Sequence, residues 1–291
     1  MKGKVKRRVI AWVLSFALVM GTVLGGPGLF MKAHAADAGV LYIIDSIGGT
    51  PESVTEDCTD SAGGWSYDAG TATLTLDGFQ GEYIEANGDI NIVLKGKNKI
   101  TISAESTEGI KSTGKVTIDD TISPVQDCLD IYCNDGTESV SMIYTGGFGA
   151  DYATYIVGGT VNLVEENTRR RYVTGISRWA YVENDASLNI NLSADGGRNG
   201  VAALLNLNTS GDTSFRVNSL SSSSYGVYSL DKKGSGDTAL TAEGKAKNIG
   251  NKFTVGSTGN TGKITIKGYL TDFTPYRKKN RIVGVDNFLW S

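Results

Sequence analysis

Histidine is all but missing from this chain: the single one, His34, stands in a stretch that reads as a removable leader. Without it the remaining residues cannot form a Ser-His-Asp or Cys-His catalytic set or any histidine-containing zinc or iron site. Cysteine is nearly as scarce. Cys58, Cys128 and Cys133 are too few for a four-thiolate zinc site. In an oxidising compartment Cys128 and Cys133 are close enough in sequence to pair, leaving Cys58 free. The other reading is three isolated, small apolar residues. Proline is scarce as well, and no stretch of several turns carries a sustained helical stripe.

The N-terminal segment 1–35 has the order of a secretory signal. Lys2, Lys4, Lys6, Arg7 and Arg8 precede an apolar run from Val9 to Phe30, and Ala33-His34-Ala35 gives a small-x-small site for cleavage after Ala35. A retained N-terminal membrane anchor is the competing reading, because the run is long; Gly21, Gly25, Gly26, Pro27 and Gly28 break its second half. The segment holds six basic residues and no acid, so its removal leaves 22 basic residues against 31 acidic and a net charge of −9. A chain so acidic lacks the basic face that nucleic acid needs. No second membrane segment and no organic cofactor motif is evident.

What is abundant is glycine and a recurring kernel: a small residue, a polar one, then apolar–polar–apolar. Gly88-Asp-Ile90-Asn-Ile92 states it, and Gly114-Lys-Val116-Thr-Ile118 repeats it. Six further copies centre on Val140/Met142, Val161/Leu163, Leu188/Ile190, Phe215/Val217, Leu240/Ala242 and Ile264/Ile266. They recur at a period of about 25 residues, and a fixed period marks a repeat architecture. The expected fold is therefore all-β: a right-handed parallel β-helix of about eight rungs over residues 36–270, with an N-terminal cap around 36–82 and a C-terminal cap or tail at 271–291. An antiparallel β-sandwich is the alternative, supported by hairpin-like pairs such as Asn87-Gly88 and Asp77-Gly78. Trp65 and Tyr67 share one face of a strand and are read as covering the open end of the core.

Gly64-Trp-Ser-Tyr-Asp68, Thr73-Leu-Thr-Leu76 and the run Gly88 to Thr101 resemble a family of secreted clostridial-type carbohydrate-binding domain proteins. Those are right-handed parallel β-helices of the pectate-lyase-like class. The resemblance covers about residues 64–120 and then thins to the kernel. It implies binding of extracellular polysaccharide, cellulose or pectin-like, with calcium held by carboxylates. It carries no transferable catalytic motif.

The residues supply candidates for each part of that expectation. Asp119 and Asp120 end a strand, where a corner could turn both toward one calcium ion; Glu165 and Glu166 occupy a similar place, and Asp127 and Asp130 flank the cysteine region. A solvated turn explains the same residues without an ion. Trp179 and Tyr181, and farther on Tyr225 and Tyr228, offer aromatic faces for sugar C–H surfaces, or else pack inward. A polysaccharide lyase on the same scaffold would need a basic side chain, and Arg169, Arg170, Arg171, Arg178 and Arg198 are the available ones. A structural adhesin or surface spacer with a protein partner is the third reading.

Overall fold

A computed structural model describes residues 40–46, 48–120, 127–166, 168–255 and 262–268. Segment 1–35, read from the sequence as a secretory signal, and segment 271–291, read as a C-terminal cap or tail, lie outside the described residues. The described chain is all-β, with strands mostly parallel, one short 3-10 turn at Ala150–Tyr152 and no α-helix.

From Tyr83 onward the chain visits three columns of parallel strands in a constant order. Column one stacks Tyr83–Ala86, Glu108–Ser112, Val140–Thr145 and Tyr172–Ile176. Column two stacks Thr73–Asp77, Ile90–Lys95, Val116–Asp120, Thr154–Ile156 and Ala180–Asn184. Column three runs from Gln80–Gly81 through Lys97–Ile102, Cys128–Cys133, Thr160–Glu166, Ser187–Ser193, Thr213–Ser219 and Thr238–Gly244 to Ile264–Lys267. The long strand Gly197–Thr209 belongs to columns one and two at once, and its pairing with the next circuit shifts register between Val201 and Leu204. These parallel pairings rule out the antiparallel sandwich for this part of the chain. Asn87-Gly88 is not a hairpin but a corner: the strands on its two sides pair with different neighbours, and Gly88 has φ 121°, which glycine alone adopts freely.

Alternation along each strand sets the core. In column three Ile100, Ile131, Leu163, Ile190, Phe215, Leu240 and Ile266 lie at one register and all are buried. Each contributes on the order of 1.5–3 kcal/mol by leaving water. Column two builds a matching ladder from Leu74, Ile92, Ile118, Ile156, Val182 and Leu207, which then meets Lys232 before pairing on to Val255. That lysine has no exposed surface, and its Nζ donates to the Gly234 carbonyl at 2.7 Å.

The eight kernels are not eight equivalent rungs. The first two lie in column two, the third (Val140/Met142) in column one, and the last five in column three. The pattern describes any corner leading into a half-buried strand, and every circuit has several. The length of the true circuit also varies. Val116 pairs with Thr154, 38 residues on, partly because the loop 146–153 is inserted, whereas Leu205 pairs with Leu230, 25 residues on.

At the N-terminal end the pairing turns antiparallel. Leu41–Ile44 adds to Tyr83–Ala86, and Cys58–Asp60, Trp65–Asp68 and Thr73–Asp77 form a meander. Trp65 and Tyr67 are buried on the same side as Leu74 and Leu76.

Truncation of Ile190 to Ala is expected to cost about 2–5 kcal/mol, read as a lowered midpoint in denaturant. Burial pulls the Lys232 ammonium below the usual lysine range, so the charged form is disfavoured in the folded chain. Its penalty applies at neutral pH and disappears as pH rises to the ordinary lysine range. Lys232→Met should therefore stabilise by about 1 kcal/mol at pH 7, with the gain over wild type shrinking in thermal melts at alkaline pH.

Candidate functional site

Outward-facing side chains are stacked as regularly as the core. On column two, Asp68, Thr73, Asn91, Thr117, Tyr155, Tyr181, Asn206 and Asp231 occupy one register across successive strands. Tyr155 and Tyr181 stack face to face, with ring centroids 4.6 Å apart and planes within 6°. Each covers one face of the other; Lys115 Nζ lies over Tyr155, 5.7 Å from its ring centre, and the far face of Tyr181 looks along the row toward Asn206. Tyr155 is absent from the aromatic candidates read from the sequence, although it precedes Tyr181 by one period. Trp179 stands half-buried at the corner before Tyr181. The inserted loop beside them carries Phe148, which is 73% exposed, and the Arg178 guanidinium lies 4.3 Å from its ring centre. Tyr225 and Tyr228 form a separate tilted pair, 5.5 Å apart, farther along the chain and within column one's last circuits. The four aromatic candidates thus fall into two groups.

The acidic candidates divide more sharply. Asp119 and Asp120 end their strand at a corner where Asp127 and Asp185 add their charges. Asp119 Oδ1 accepts from the Asp120 amide, and Asp127 Oδ1 accepts from the Gly96 amide at 2.6 Å. Asp120 Oδ2 and Asp127 Oδ2 are buried without a hydrogen-bond partner among the described residues. Burial, then the negative charges of Asp119, Asp185 and Asp127, push the Asp120 carboxyl above the ordinary carboxylate range. The backbone at Gly158 passes so close that a side chain there would collide with both Asp119 and Asp120. Among the described residues no three carboxylate or thiol groups gather tightly enough to hold an ion by themselves.

Glu165 is a different case, and the expectation that it resembles Asp119 needs correction. It lies opposite Leu192, an inward position, with no exposed surface. Its Oε2 pairs with Arg198 Nε at 2.9 Å, and Oε1 accepts from Thr168 Oγ1 at 2.7 Å and from Arg198 Nη2 at 3.2 Å. Its oxygens are taken by the protein. Only Glu166 faces outward, where it accepts from Asn191 Nδ2 at 3.0 Å. Asp130 also faces outward and accepts from Asn162 Nδ2 at 2.6 Å.

Of the arginines that could serve as lyase bases, Arg170 and Arg198 are held in internal contacts, while Arg178 lies over Tyr144 and Phe148 with its Nε buried and without a hydrogen-bond partner among the described residues. Arg170 is 1% exposed and donates to the carbonyls of Asn134, Ser106, Glu138 and Ser103, tying three successive corners together. Arg198 is fully buried. Arg169 binds Asp135 at 2.7 Å, and Arg171 lies over Tyr172.

All three cysteines are free. Cys128 and Cys133 sit at opposite ends of one extended strand, about 16 Å apart at ~3.3 Å per residue, far beyond disulfide reach. Burial pushes the Cys133 thiol up to about 11.

Because Glu165 and Arg198 are desolvated together, Arg198→Met alone should cost about 3–5 kcal/mol by stranding a buried carboxylate, whereas Glu165→Leu with Arg198→Met should recover most of that loss. Chemical denaturation of the two variants and wild type checks it. No family model matches the chain, and comparison with curated proteins and with solved structures finds no match either.

Proposed function

We propose that the chain is a secreted, non-catalytic, right-handed parallel β-helix of about eight rungs that binds extracellular polysaccharide, cellulose or pectin-like, with calcium at the Asp119–Asp120 corner. The three recurring columns of parallel strands support the coil, and the strong preference of parallel crossovers for one hand supports its sense. The observation that carries the binding reading is the outward row on column two. Hydroxyls, an amide and two stacked tyrosines follow one another across adjacent strands at about 4.8 Å intervals. A linear polymer laid along that row meets a hydrogen-bonding group or ring edge at each strand but the one that carries Thr117, which is buried beneath its neighbours. A lyase reading loses support because Arg170 and Arg198 are buried in structural contacts.

Calcium would draw one or two ligands from Asp119, Asp120 and Asp127 and complete its shell with backbone carbonyls and water. The two unpartnered buried carboxylate oxygens and the charge crowding at Asp120 favour a cation there.

Retention on insoluble cellulose or on pectate, lost in EDTA and weakened by Tyr181→Ala, is the expected result of a pull-down. Failure to bind any polysaccharide would turn the assignment to a surface spacer, and unsaturated uronate ends released from pectate would turn it to a lyase. A carboxyl with a raised pKa weakens the fold at neutral pH and stops doing so as pH falls through that pKa. Asp120→Asn should therefore raise the melting temperature at pH 7 in EDTA, and should abolish the rise that calcium gives wild type.

A further inference from the structure

The N-terminal meander carries a feature that the row of tyrosines does not explain. An open cleft of about 420 Å³ lies on the outer side of Cys58–Asp60, Trp65–Asp68 and Thr73–Asp77. Its volume falls within the usual range for small-ligand sites. Five hydroxyls line it, those of Thr59, Ser66, Thr71, Thr73 and Thr75. Two carboxylates, Asp57 and Asp68, complete the polar lining, and no lysine or arginine contributes to it. The carboxylates are fixed in place by backbone: Asp57 Oδ1 accepts from the Ala69 amide at 2.9 Å, and Asp68 Oδ1 from the Thr71 amide at 3.1 Å. Each keeps a second oxygen with which to accept from a ligand.

The cleft is also continuous with the row already described. Asp68 pairs with Thr73, Thr73 with Asn91, Asn91 with Thr117, and Thr117 with Tyr155. The side chains that close the cleft are thus the first members of the strip that leads to Tyr155 and Tyr181.

We infer that this cleft is a binding site for the terminal unit of an uncharged sugar chain whose following units lie along the column-two row. The inference rests on the proposed carbohydrate binding and narrows it. A pyranose presents hydroxyl groups in adjacent pairs; fixed carboxylates accept from them strongly, and threonine and serine hydroxyls both donate and accept. A uronate unit would bring a third negative charge beside Asp57 and Asp68 with no cation to balance it, and would be rejected. The Cys58 side chain is not part of this lining: it shares the inner face with Tyr67 and Leu74 and packs against the core.

The test uses the native chain with a soluble cello-oligosaccharide and, separately, an oligogalacturonate, each with calcium and with EDTA. Binding is measured by calorimetry for wild type and for Thr75→Arg, whose melting temperature is compared with that of wild type to show that it folds. Thr75→Arg, an outward change that fills the cleft, should weaken binding of the neutral oligosaccharide at least about tenfold. Binding of the neutral sugar with folded Thr75→Arg equal to wild type would overturn the cleft while leaving carbohydrate binding intact. Binding of the oligogalacturonate alone would do the same. Absence of binding to either sugar and to insoluble polysaccharide would remove the parent reading and the cleft with it.

Discussion

Parallel in-register pairing is the constraint on which everything else here depends. When strands stack in parallel about 4.8 Å apart, a residue's neighbours are the residues at the same register one circuit away. A position that points inward does so in every circuit, and each inward ladder must be apolar or must satisfy its polar members internally. The ladder from Ile100 to Ile266 takes the first course. The Glu165–Arg198 pair takes the second: the carboxylate accepts from Arg198, Thr168 and the Ser193 amide, and the guanidinium is shared with the Gly197 and Arg170 carbonyls. Buried charge of this kind is weak evidence for stability. It does tie register down, since a slip by one residue would break the pair and strand each ion without its partner.

The same constraint decides what the sequence can and cannot reveal. Apolar–polar alternation makes the strands legible, and the near-constant spacing makes the repetition legible. Column membership is not legible, because a corner followed by alternation looks alike wherever it occurs; Val140 and Val161 share a kernel pattern but belong to different columns. Glu165 continues the inward alternation of Val161 and Leu163, but it reads as a loop carboxylate because the sequence does not show that the strand extends through Glu166, where it still pairs with the next circuit. Its partner, Arg198, lies farther still along the chain and in a different column. Tyr155 is recoverable from Tyr181 by counting back one period. The cleft at Asp57 and Asp68 is not, since it depends on three antiparallel strands whose registers are set by contact rather than by repetition.

The corners carry most of the polar specialisation. Asp119 and Asp120 crowd one of them; Arg170 spans another and joins three successive circuits through carbonyl oxygens alone. Donation to carbonyls satisfies backbone that a solvent-free corner would otherwise leave unpaired, and it does so without a counter-ion. The three arginines in a row at 169–171 therefore serve one exposed ion pair, one internal tie and one ring contact.

The strand Gly197–Thr209 runs from column one into column two as one element, and Tyr225–Lys232 and Lys247–Val255 follow the same path. Earlier circuits cross that boundary through separate corner residues such as Asn87-Gly88 and Thr113-Gly114. The two regions should differ mechanically. Where the sheet is continuous around the edge, a sideways load is spread over hydrogen bonds on both faces. Where it is interrupted, the corner can act as a hinge. Elastic compliance is then concentrated in the first circuits, next to the antiparallel meander, and the later circuits are the stiffer part of the stacked sheets.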